Sequence, residues 1–148
     1  MEDDVRAITD LVFTYAELFD TGDFDGFGRL FEHGAFRPAG YAGAEFHGSE
    51  AVANLIRSSV LLYDGIPSTK HAISNVIVRL NGDTAGAQAY FTLMQARPDF
   101  PLQTIMAGRY RDRFEKVGGS WRYTDHEIFL DLIGDVSKHL GIPIADQA

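Results

Sequence analysis

The sequence of 148 residues contains no cysteine. Disulfide bonds, thiolate nucleophiles and cysteine-ligated metal sites are therefore excluded. Basic residues are also scarce, because 13 Lys and Arg stand against 21 Asp and Glu and leave a net charge of −8. A protein that binds nucleic acid needs a basic surface, so we expect no nucleic-acid partner. The excess of acid instead favours solubility.

Long apolar runs are absent as well, and no stretch approaches the roughly 18 apolar residues of a membrane-spanning helix. Residues 1–6, MEDDVR, carry acid where a signal peptide has basic residues followed by an apolar core. We therefore expect no membrane partner and a soluble, cytoplasmic protein. Phosphate-binding glycine loops, nucleophile elbows, dinucleotide fingerprints and histidine pairs at metal-ligand spacing are all missing. The sequence accordingly predicts neither a cofactor nor a metal.

The chain does have ample apolar material, since 45% of its residues are hydrophobic and 12% are aromatic, which predicts one globular domain over residues 1–148. Apolar spacings of three and four predict three helices. The first begins near Asp3 and ends before Thr21, the second runs from Asp23 to Gly34, and the third begins at Ser49. A period of two then predicts four long strands joined by turns. These strands cover residues 69–80, 84–97, 103–117 and 120–132.

Three helices followed by long strands predict an α+β domain in which a strongly curved antiparallel or mixed sheet wraps around the helices. Such a sheet and a long helix enclose a cone, and small molecules bind in concave, mostly apolar spaces of this kind. We therefore expect an internal pocket for a hydrophobic small molecule. By their positions in the sequence, its apolar walls are predicted to be Phe13, Phe19, Phe24, Phe91, Met94 and Phe129.

The third long strand separates its polar residues by face. Tyr110 and Asp112 share the face that carries the apolar side chains, so both are candidates to line the pocket. The opposite face carries Arg109, Arg111 and Arg113. These arginines are predicted to be solvated, or to pair with acids of a dimer partner.

Of the five histidines, His71 carries the strongest signal. It stands at the head of the first long strand, where an inward-facing ring beside a carboxylate would be a general base. His126, on the last strand, is a candidate second titrating group in the pocket. His33, His47 and His139 lie near helix ends or in irregular segments, and the sequence links none of them to chemistry.

Four segments are typical, in their order and spacing, of one protein family. They are YAELFDTGDFD at residues 15–25, TKHAISN at 69–75, GRYRDRF at 108–114 and GSWR at 119–122. Together they resemble the SnoaL-like branch of the nuclear-transport-factor-2-like superfamily, over roughly Val5 to Leu140. The resemblance implies a cystatin-like cone. It also implies a homodimer, or a larger homo-oligomer, that forms through the outer face of the sheet.

The branch includes scytalone dehydratase, a hexachlorocyclohexane dehydrochlorinase and the bile acid dehydratase, in which an aspartate and a histidine pair at the positions of Asp20 and His71. The resemblance implies that His71 removes a proton from carbon, while Asp20 fixes its tautomer and stabilises the imidazolium. Tyr15 matches a tyrosine that the bile acid enzyme uses, so it is a third candidate catalytic residue. Tyr15 or Tyr110 would donate a hydrogen bond to developing oxyanion charge.

Each of these three candidates also has a structural interpretation, and the sequence leaves both open. His71 could be a core histidine whose two nitrogens are bonded by backbone groups. Asp20 lies just before Thr21-Gly22-Asp23 and could end the first helix or cap the next. Tyr15 lies on the apolar helix face, where a tyrosine commonly packs its ring and keeps its hydroxyl hydrated.

The chain departs from scytalone dehydratase and other members at further site positions. Where that enzyme has a second active-site histidine, this chain has Ile105, Met106 and Ala107. Phe19 replaces a tyrosine, and residues 128–130 include no arginine. These differences predict a substrate other than scytalone. They also leave the general acid unassigned.

The leading hypothesis is therefore a cofactor-independent lyase or isomerase of the dehydratase type. Its substrate is predicted to be a hydrophobic cyclic, polyketide-like or steroid-like molecule that a carbonyl already activates. The alternative is a non-catalytic small-molecule-binding protein, or an accessory subunit resembling the β subunit of ring-hydroxylating dioxygenases, in which Asp20 and His71 form a buried structural pair. In either case, the glycines of residues 36–48 permit a loop that closes over the pocket.

Overall fold

The structure, a computed structural model, describes residues 1–39 and 43–141. Three helices precede the long strands: α1 spans Glu2–Asp20, α2 spans Phe24–Arg29 and α3 spans Ser49–Ser59. The three predicted helices are therefore confirmed, although α2 ends before Gly34 because residues 30–33 form turns. None of the described helices is both long enough and apolar enough to cross a membrane.

Helix α1 buries one face, as its spacing predicts. The buried stripe consists of Ile8, Val12, Tyr15, Ala16 and Phe19. The helix begins just before the predicted Asp3 boundary and has no side-chain cap. The negative charges of the acids in its first turn instead stabilise this end of the helix, where the helix dipole is positive. The stripe turns Tyr15 and Phe19 toward the sheet, so the apolar face of the helix also delivers site residues.

Six strands form the sheet. The long strands are β3 (Thr69–Asn81), β4 (Thr84–Arg97), β5 (Phe100–Val117) and β6 (Ser120–Ile133). Two short strands, β1 (Ala35–Arg37) and β2 (Phe46–His47), lie in a stretch for which the sequence predicted no regular structure. The order is β2-β1-β6-β5-β4-β3, and all neighbours are antiparallel except β1 and β6. The sheet is therefore mixed, and the predicted α+β class is confirmed.

The sheet is curved because its ladders contain β-bulges. The register between β3 and β4 shifts between Ser74 and Ile77, and the register between β4 and β5 shifts after Leu93. Two further shifts interrupt the pairing of β5 with β6. A bulge bends its strand and increases the local twist. The bends give the sheet a concave face, against which the helices and the core pack.

Gly108 of β5 lies opposite one of these bulges, in which Asp131 is the extra residue of β6. A Cβ atom at this position would overlap the carbonyl oxygen of Phe129 and would lie 2.9 Å from Cε1 of Phe91. Only glycine allows β6 to approach β5 this closely, so the residue is required by packing.

Residues 134–141, which we call the C-terminal segment, fold back against the end of α3. The Leu61 N–H donates to the carbonyl of His139 at 2.8 Å, and the Gly141 N–H donates to the carbonyl of Ser59 at 2.9 Å. Residues 137–139 of this segment form a turn. Residues 142–148 lie outside the described residues.

Two side chains from other parts of the chain add to this attachment. The Tyr63 hydroxyl and the Gln95 side-chain amide both donate to the carbonyl of Lys138, at 2.6 and 3.0 Å. Because all these bonds use backbone groups of the C-terminal segment, the path of the segment depends little on its own side chains.

Candidate functional site

A cavity of about 130 Å³ lies between the helices and the concave face of the sheet. Its size is comparable to the engineered cavity of about 150 Å³ that binds benzene. Most of the lining is aliphatic or aromatic. The polar residues in the lining are Tyr15, Ser59, His71, Tyr110 and His139. Such an arrangement, mostly apolar with a few convergent polar groups, is typical of small-molecule sites.

Asp20 and His71 are directly bonded beside this cavity. Oδ1 of Asp20, the last residue of α1, lies 2.9 Å from Nδ1 of His71 on β3. The same carboxylate accepts the backbone N–H of His71 at 2.7 Å and the hydroxyl of Thr69 at 2.8 Å. A carboxylate at Nδ1 favours the tautomer with its proton on Nδ1, which leaves the lone pair of Nε2 free to accept another proton.

Capping of the second helix, one role that the sequence left open for Asp20, belongs to Asp23. The Asp23 side chain accepts the Gly26 N–H at 2.9 Å at the start of α2. The bonds of the Asp20 carboxylate go to β3 instead. Asp20 therefore bonds the end of α1 to the start of β3, beside His71.

Two buried tyrosines extend the polar lining. The ring centroid of Tyr15 lies 6.1 Å from that of His71 and 5.3 Å from that of Tyr110. Burial raises the pKa of Tyr15 and of Tyr110 well above the ordinary tyrosine value. Both hydroxyls consequently stay protonated at neutral pH and can donate hydrogen bonds.

Asp112 and His126 form a second, deeper pair. The Asp112 Oδ1 and His126 Nδ1 atoms lie 2.5 Å apart, and both side chains are almost completely buried. Burial raises the pKa of Asp112, while His126 opposes that shift. Neither residue lines the cavity, so the predicted direct contact with substrate is not supported. The His126 ring instead packs behind Tyr15 and Tyr110, with centroids 4.6 and 4.7 Å away.

The structure places the residues predicted as apolar walls in different parts of the fold. Phe19 and Phe91 line the cavity. Phe24 is buried in the core behind Phe19, with ring centroids 5.9 Å apart, and does not line it. The prediction that Phe13 lines the pocket is wrong, because this residue is 45% exposed on the outer side of α1.

The same prediction is also wrong for Met94 and Phe129, because both residues lie on the outer face of the sheet. On β4 the buried residues are odd-numbered, so Leu93 and not Met94 faces the cavity. Phe129 lies outside, under the Arg109 guanidinium at 4.8 Å. Arg109 itself pairs with Asp131 of its own chain at 2.9 Å.

A bulge explains the error at Phe129. Along β6 the inward-facing residues are odd-numbered up to Tyr123 and then even-numbered, at His126, Ile128 and Leu130. Thr124 is the extra residue, because Phe114 pairs with Tyr123 while Arg113 pairs with Asp125. One inserted residue exchanges the two faces of the strand beyond it.

His139 is a site residue that the sequence did not predict. Its ring lines the cavity, is only 3% exposed and lies 5.9 Å from the ring of Phe19. Burial lowers the pKa of His139 to about 4, with His71 acting in the same direction and Asp20 opposing. The residue stands in an irregular segment, so no periodic pattern could have indicated that it faces the pocket.

The predicted mobile loop is described only in part. Pro38 and Ala39 line the cavity, whereas residues 40–42 lie outside the described residues. Within residues 1–39 and 43–141, no group of three or more His, Asp or Glu side chains is placed to hold a metal ion.

Several solved structures share the fold at low sequence identity. A nuclear-transport-factor-2-like protein with a cystatin-like fold from Novosphingobium aromaticivorans is 23% identical, with a TM-score of 0.74 over 92% of this chain and 86% of the other. A candidate scytalone dehydratase from the same organism is 21% identical, with a TM-score of 0.71 over 91% of each chain. The β subunit of a candidate aromatic-ring-hydroxylating dioxygenase, also from that organism, is 19% identical, with a TM-score of 0.71 over 89% of this chain and 92% of the other.

At these identities the likeness shows the fold alone. No protein of curated function matches the sequence significantly. The family model of the SnoaL-like domain does match, over residues 2–126. That match covers most of the chain, so this protein belongs to the SnoaL-like family.

Proposed function

We propose that this protein is a cofactor-independent lyase or isomerase of the dehydratase type, which uses Asp20 and His71 as a general-base pair on a small cyclic, hydrophobic molecule. One observation carries the proposal. His71 lines an otherwise mostly apolar cavity while its Nδ1 lies 2.9 Å from a carboxylate that two further hydrogen bonds fix in place.

In the proposed reaction, Nε2 of His71 removes a proton from a carbon next to a carbonyl group. The electrons of the broken C–H bond move toward the carbonyl oxygen, and the Asp20 carboxylate stabilises the imidazolium that forms. Tyr15 or Tyr110 donates a hydrogen bond to the developing oxyanion. An isomerase returns the proton to another carbon of the substrate.

In a dehydratase, the C–O bond to the leaving hydroxyl breaks as the C=C bond forms. The imidazolium of His71 then gives its proton to the departing oxygen, which leaves as water and restores the neutral histidine. A positioned acid or base of this kind contributes roughly 10²–10⁴ in rate. The pair therefore suits carbon acids that a carbonyl already activates.

The cavity volume narrows the substrate class. About 130 Å³ accommodates one ring or two small fused rings. A polyketide-like or steroid-like molecule, which is larger, would have to extend beyond the mouth of the cavity. The likeness to a candidate scytalone dehydratase supports a cyclic substrate without identifying it.

The proposal can be tested without the natural substrate. Nitrobenzisoxazole is a small apolar carbon acid whose ring opens to a coloured phenolate when a base removes its proton. We expect the wild-type protein to open the ring faster than free imidazole at the same concentration, and His71→Ala to lose this advantage. His33→Ala is the matched control. The His33→Ala variant itself should keep the wild-type rate, because its side chain is about half exposed. Equal rates for wild type and His71→Ala would contradict the proposal.

A binding or accessory subunit is the second candidate, favoured by the likeness to the β subunit of a candidate ring-hydroxylating dioxygenase. It predicts that His71→Ala changes stability or ligand affinity while wild type shows no turnover.

We also propose that the outer face of the sheet forms a homodimer. Ile77 and Tyr90 are 43% and 52% exposed on that face, which supports an apolar contact there. Analytical ultracentrifugation of the wild-type protein tests this second proposal.

A further inference from the structure

We propose that His139 is a second ligand-contacting residue of the cavity, and that it hydrogen-bonds a hydroxyl group on an apolar ring. The inference rests on the proposed function, because it assigns the polar feature of the molecule that the same cavity accepts. The substrate would then contact two histidines: His71, which removes the proton, and His139, which binds a hydroxyl group.

The first step is the placement of two imidazoles in one cavity. His71 comes from β3, and His139 comes from the C-terminal segment, yet both rings line the same 130 Å³ space. Each packs against Phe19, with centroids 4.9 Å from His71 and 5.9 Å from His139. A molecule that fills the cavity therefore lies against both rings.

The second step concerns hydrogen bonding. Nδ1 of His71 is bonded to Asp20, whereas Nδ1 of His139 is buried without a partner in the part of the chain that the structure describes. A buried polar atom left without a partner is unfavourable, so such atoms normally meet another polar group. The ring of His139 lines the cavity, so a cavity ligand can supply that group once a small rotation of the ring turns the buried Nδ1 toward the cavity.

The third step concerns charge. Burial lowers the pKa of His139 to about 4, and the neighbouring His71 acts in the same direction, while Asp20 opposes the shift. The ring is therefore neutral at pH 7, and its two nitrogens are one donor and one acceptor. An anionic ligand gains little from such a ring, which excludes a carboxylate clamp.

A hydroxyl group is the ligand feature that fits best. It both donates and accepts, so it satisfies Nδ1 in either tautomer of His139. A carbonyl oxygen would satisfy only the tautomer with the proton on Nδ1. The substrate class that follows is a one-ring or small fused-ring compound with an alcohol or phenol group directed at His139 and an acidic carbon directed at His71.

The fourth step concerns orientation. The carbonyl of His139 accepts the Leu61 N–H at 2.8 Å, and its own N–H donates to Val136 at 3.0 Å. The ring is therefore presented on a backbone that is already fixed, which lowers the entropic cost of recognition. The same bonds survive replacement of the side chain.

The test compares para-cresol with toluene, a pair that differs by one hydroxyl group. Binding of each to the full-length protein is measured by calorimetry for wild type, His139→Leu and His139→Asn. We expect wild type to prefer para-cresol by about five-fold or more, the value of one hydrogen bond of about 1 kcal/mol. His139→Leu should lose that preference and still bind toluene. His139→Asn, whose amide lies near the former Nδ1 position, should restore part of it.

A cresol preference that persists in His139→Leu would overturn the inference, as would a wild-type protein that binds both compounds equally or binds neither. Turnover of nitrobenzisoxazole, measured on the same samples, separates this result from the proposed function. Loss of the cresol preference in His139→Leu with no turnover by wild type would support the ligand contact and overturn the enzyme. Turnover without a preference that depends on His139 would do the opposite.

Discussion

One carboxylate bonds both the ring and the backbone of the same histidine: Asp20 accepts from Nδ1 of His71 at 2.9 Å and from its main-chain N–H at 2.7 Å. The Thr69 hydroxyl donates to the same group at 2.8 Å. The end of α1 is thereby bonded to the start of β3. A change at Asp20 must then affect stability as well as any chemistry at His71.

Asp20→Asn is expected to reduce both the stability of the fold and the rate of proton removal by His71. The amide has one acceptor oxygen in place of two, so at least one of the three donors loses its partner, at a cost of about 1–3 kcal/mol. Loss of the charge also removes the preference for the Nδ1–H tautomer, so turnover of nitrobenzisoxazole should fall by about 10²-fold or more. Urea unfolding and the ring-opening rate measure the two effects. Thr69→Val is the matched control, since it removes one bond and keeps the charge; a Thr69→Val rate as low as that of Asp20→Asn would contradict the assignment.

The hydroxyl groups of the cavity tyrosines are expected to contribute to the rate of turnover and little to the stability of the fold. Tyr15→Phe keeps the ring that packs 4.8 Å from Phe27 and removes only the donor. Turnover should fall by up to about 10²-fold while the urea midpoint changes little. Tyr123→Phe is the control, because Tyr123 is equally buried but does not line the cavity. An equal loss of rate in both variants would indicate a packing effect.

The buried ring of His139 predicts a pH dependence of stability. Its pKa is about 4 in the folded protein and about 6.5 in the unfolded chain, so the unfolded chain binds more protons between these values. Stability should therefore fall as the pH drops from about 6.5 to 4, by up to about 3 kcal/mol from this residue. Urea unfolding of wild type and of His139→Asn at pH 7 and pH 4.5 measures the difference. The variant should lose less stability than wild type over this range, and equal losses would refute the prediction.

Gly108→Ala should be strongly destabilising. The added methyl group would overlap the Phe129 carbonyl oxygen and lie 2.9 Å from Phe91, so β5 and β6 must separate. Overpacking of this kind costs about 1–3 kcal/mol or more. Gly86→Ala is the control within the same sheet, because its new methyl group would lie 3.7 Å from the Asp112 oxygen, an ordinary contact. Thermal unfolding of the two variants should differ clearly, with Gly86→Ala close to wild type.

The outer face offers a test of assembly. Tyr90→Glu introduces charge on the exposed side of β4 and should convert a dimer into a monomer in sedimentation velocity experiments. Val117→Glu is the control, because Val117 is 49% exposed but lies at the turn between β5 and β6. A wild-type protein that sediments as a monomer would contradict the proposed dimer.

The elements that a regular period marks could be predicted from the sequence. The stripe of α1 and the alternation of β5 correctly placed Tyr15 on the helix and Tyr110 on the inner face. His71 and Asp20 stand at element ends, where the resemblance to a family supplied the pairing that periodicity could not. The distance between them depends on how α1 packs on β3, which no local pattern encodes.

The other parts of the fold and of the site have no local pattern in the sequence that marks them. Phe129 was assigned to the wrong face because the bulge at Thr124 has no sequence marker as plain as a glycine. β1 and β2 are only three and two residues long, too short for a period to be visible. His139 faces the cavity because Leu61 donates to its carbonyl, and because Tyr63 and Gln95 donate to the carbonyl of the preceding Lys138. These bonds depend on the folded chain.

The attachment of the C-terminal segment through its main chain has a consequence for the diversity of such sites. Since Tyr63, Gln95 and Leu61 all bind carbonyl groups of the segment, residue 139 can be exchanged without altering the path of the chain around it. Ligand preference at this position is therefore separable from folding. A library of substitutions at 139 alone should yield folded proteins with different selectivities, which makes this position a practical starting point for redesign of the cavity.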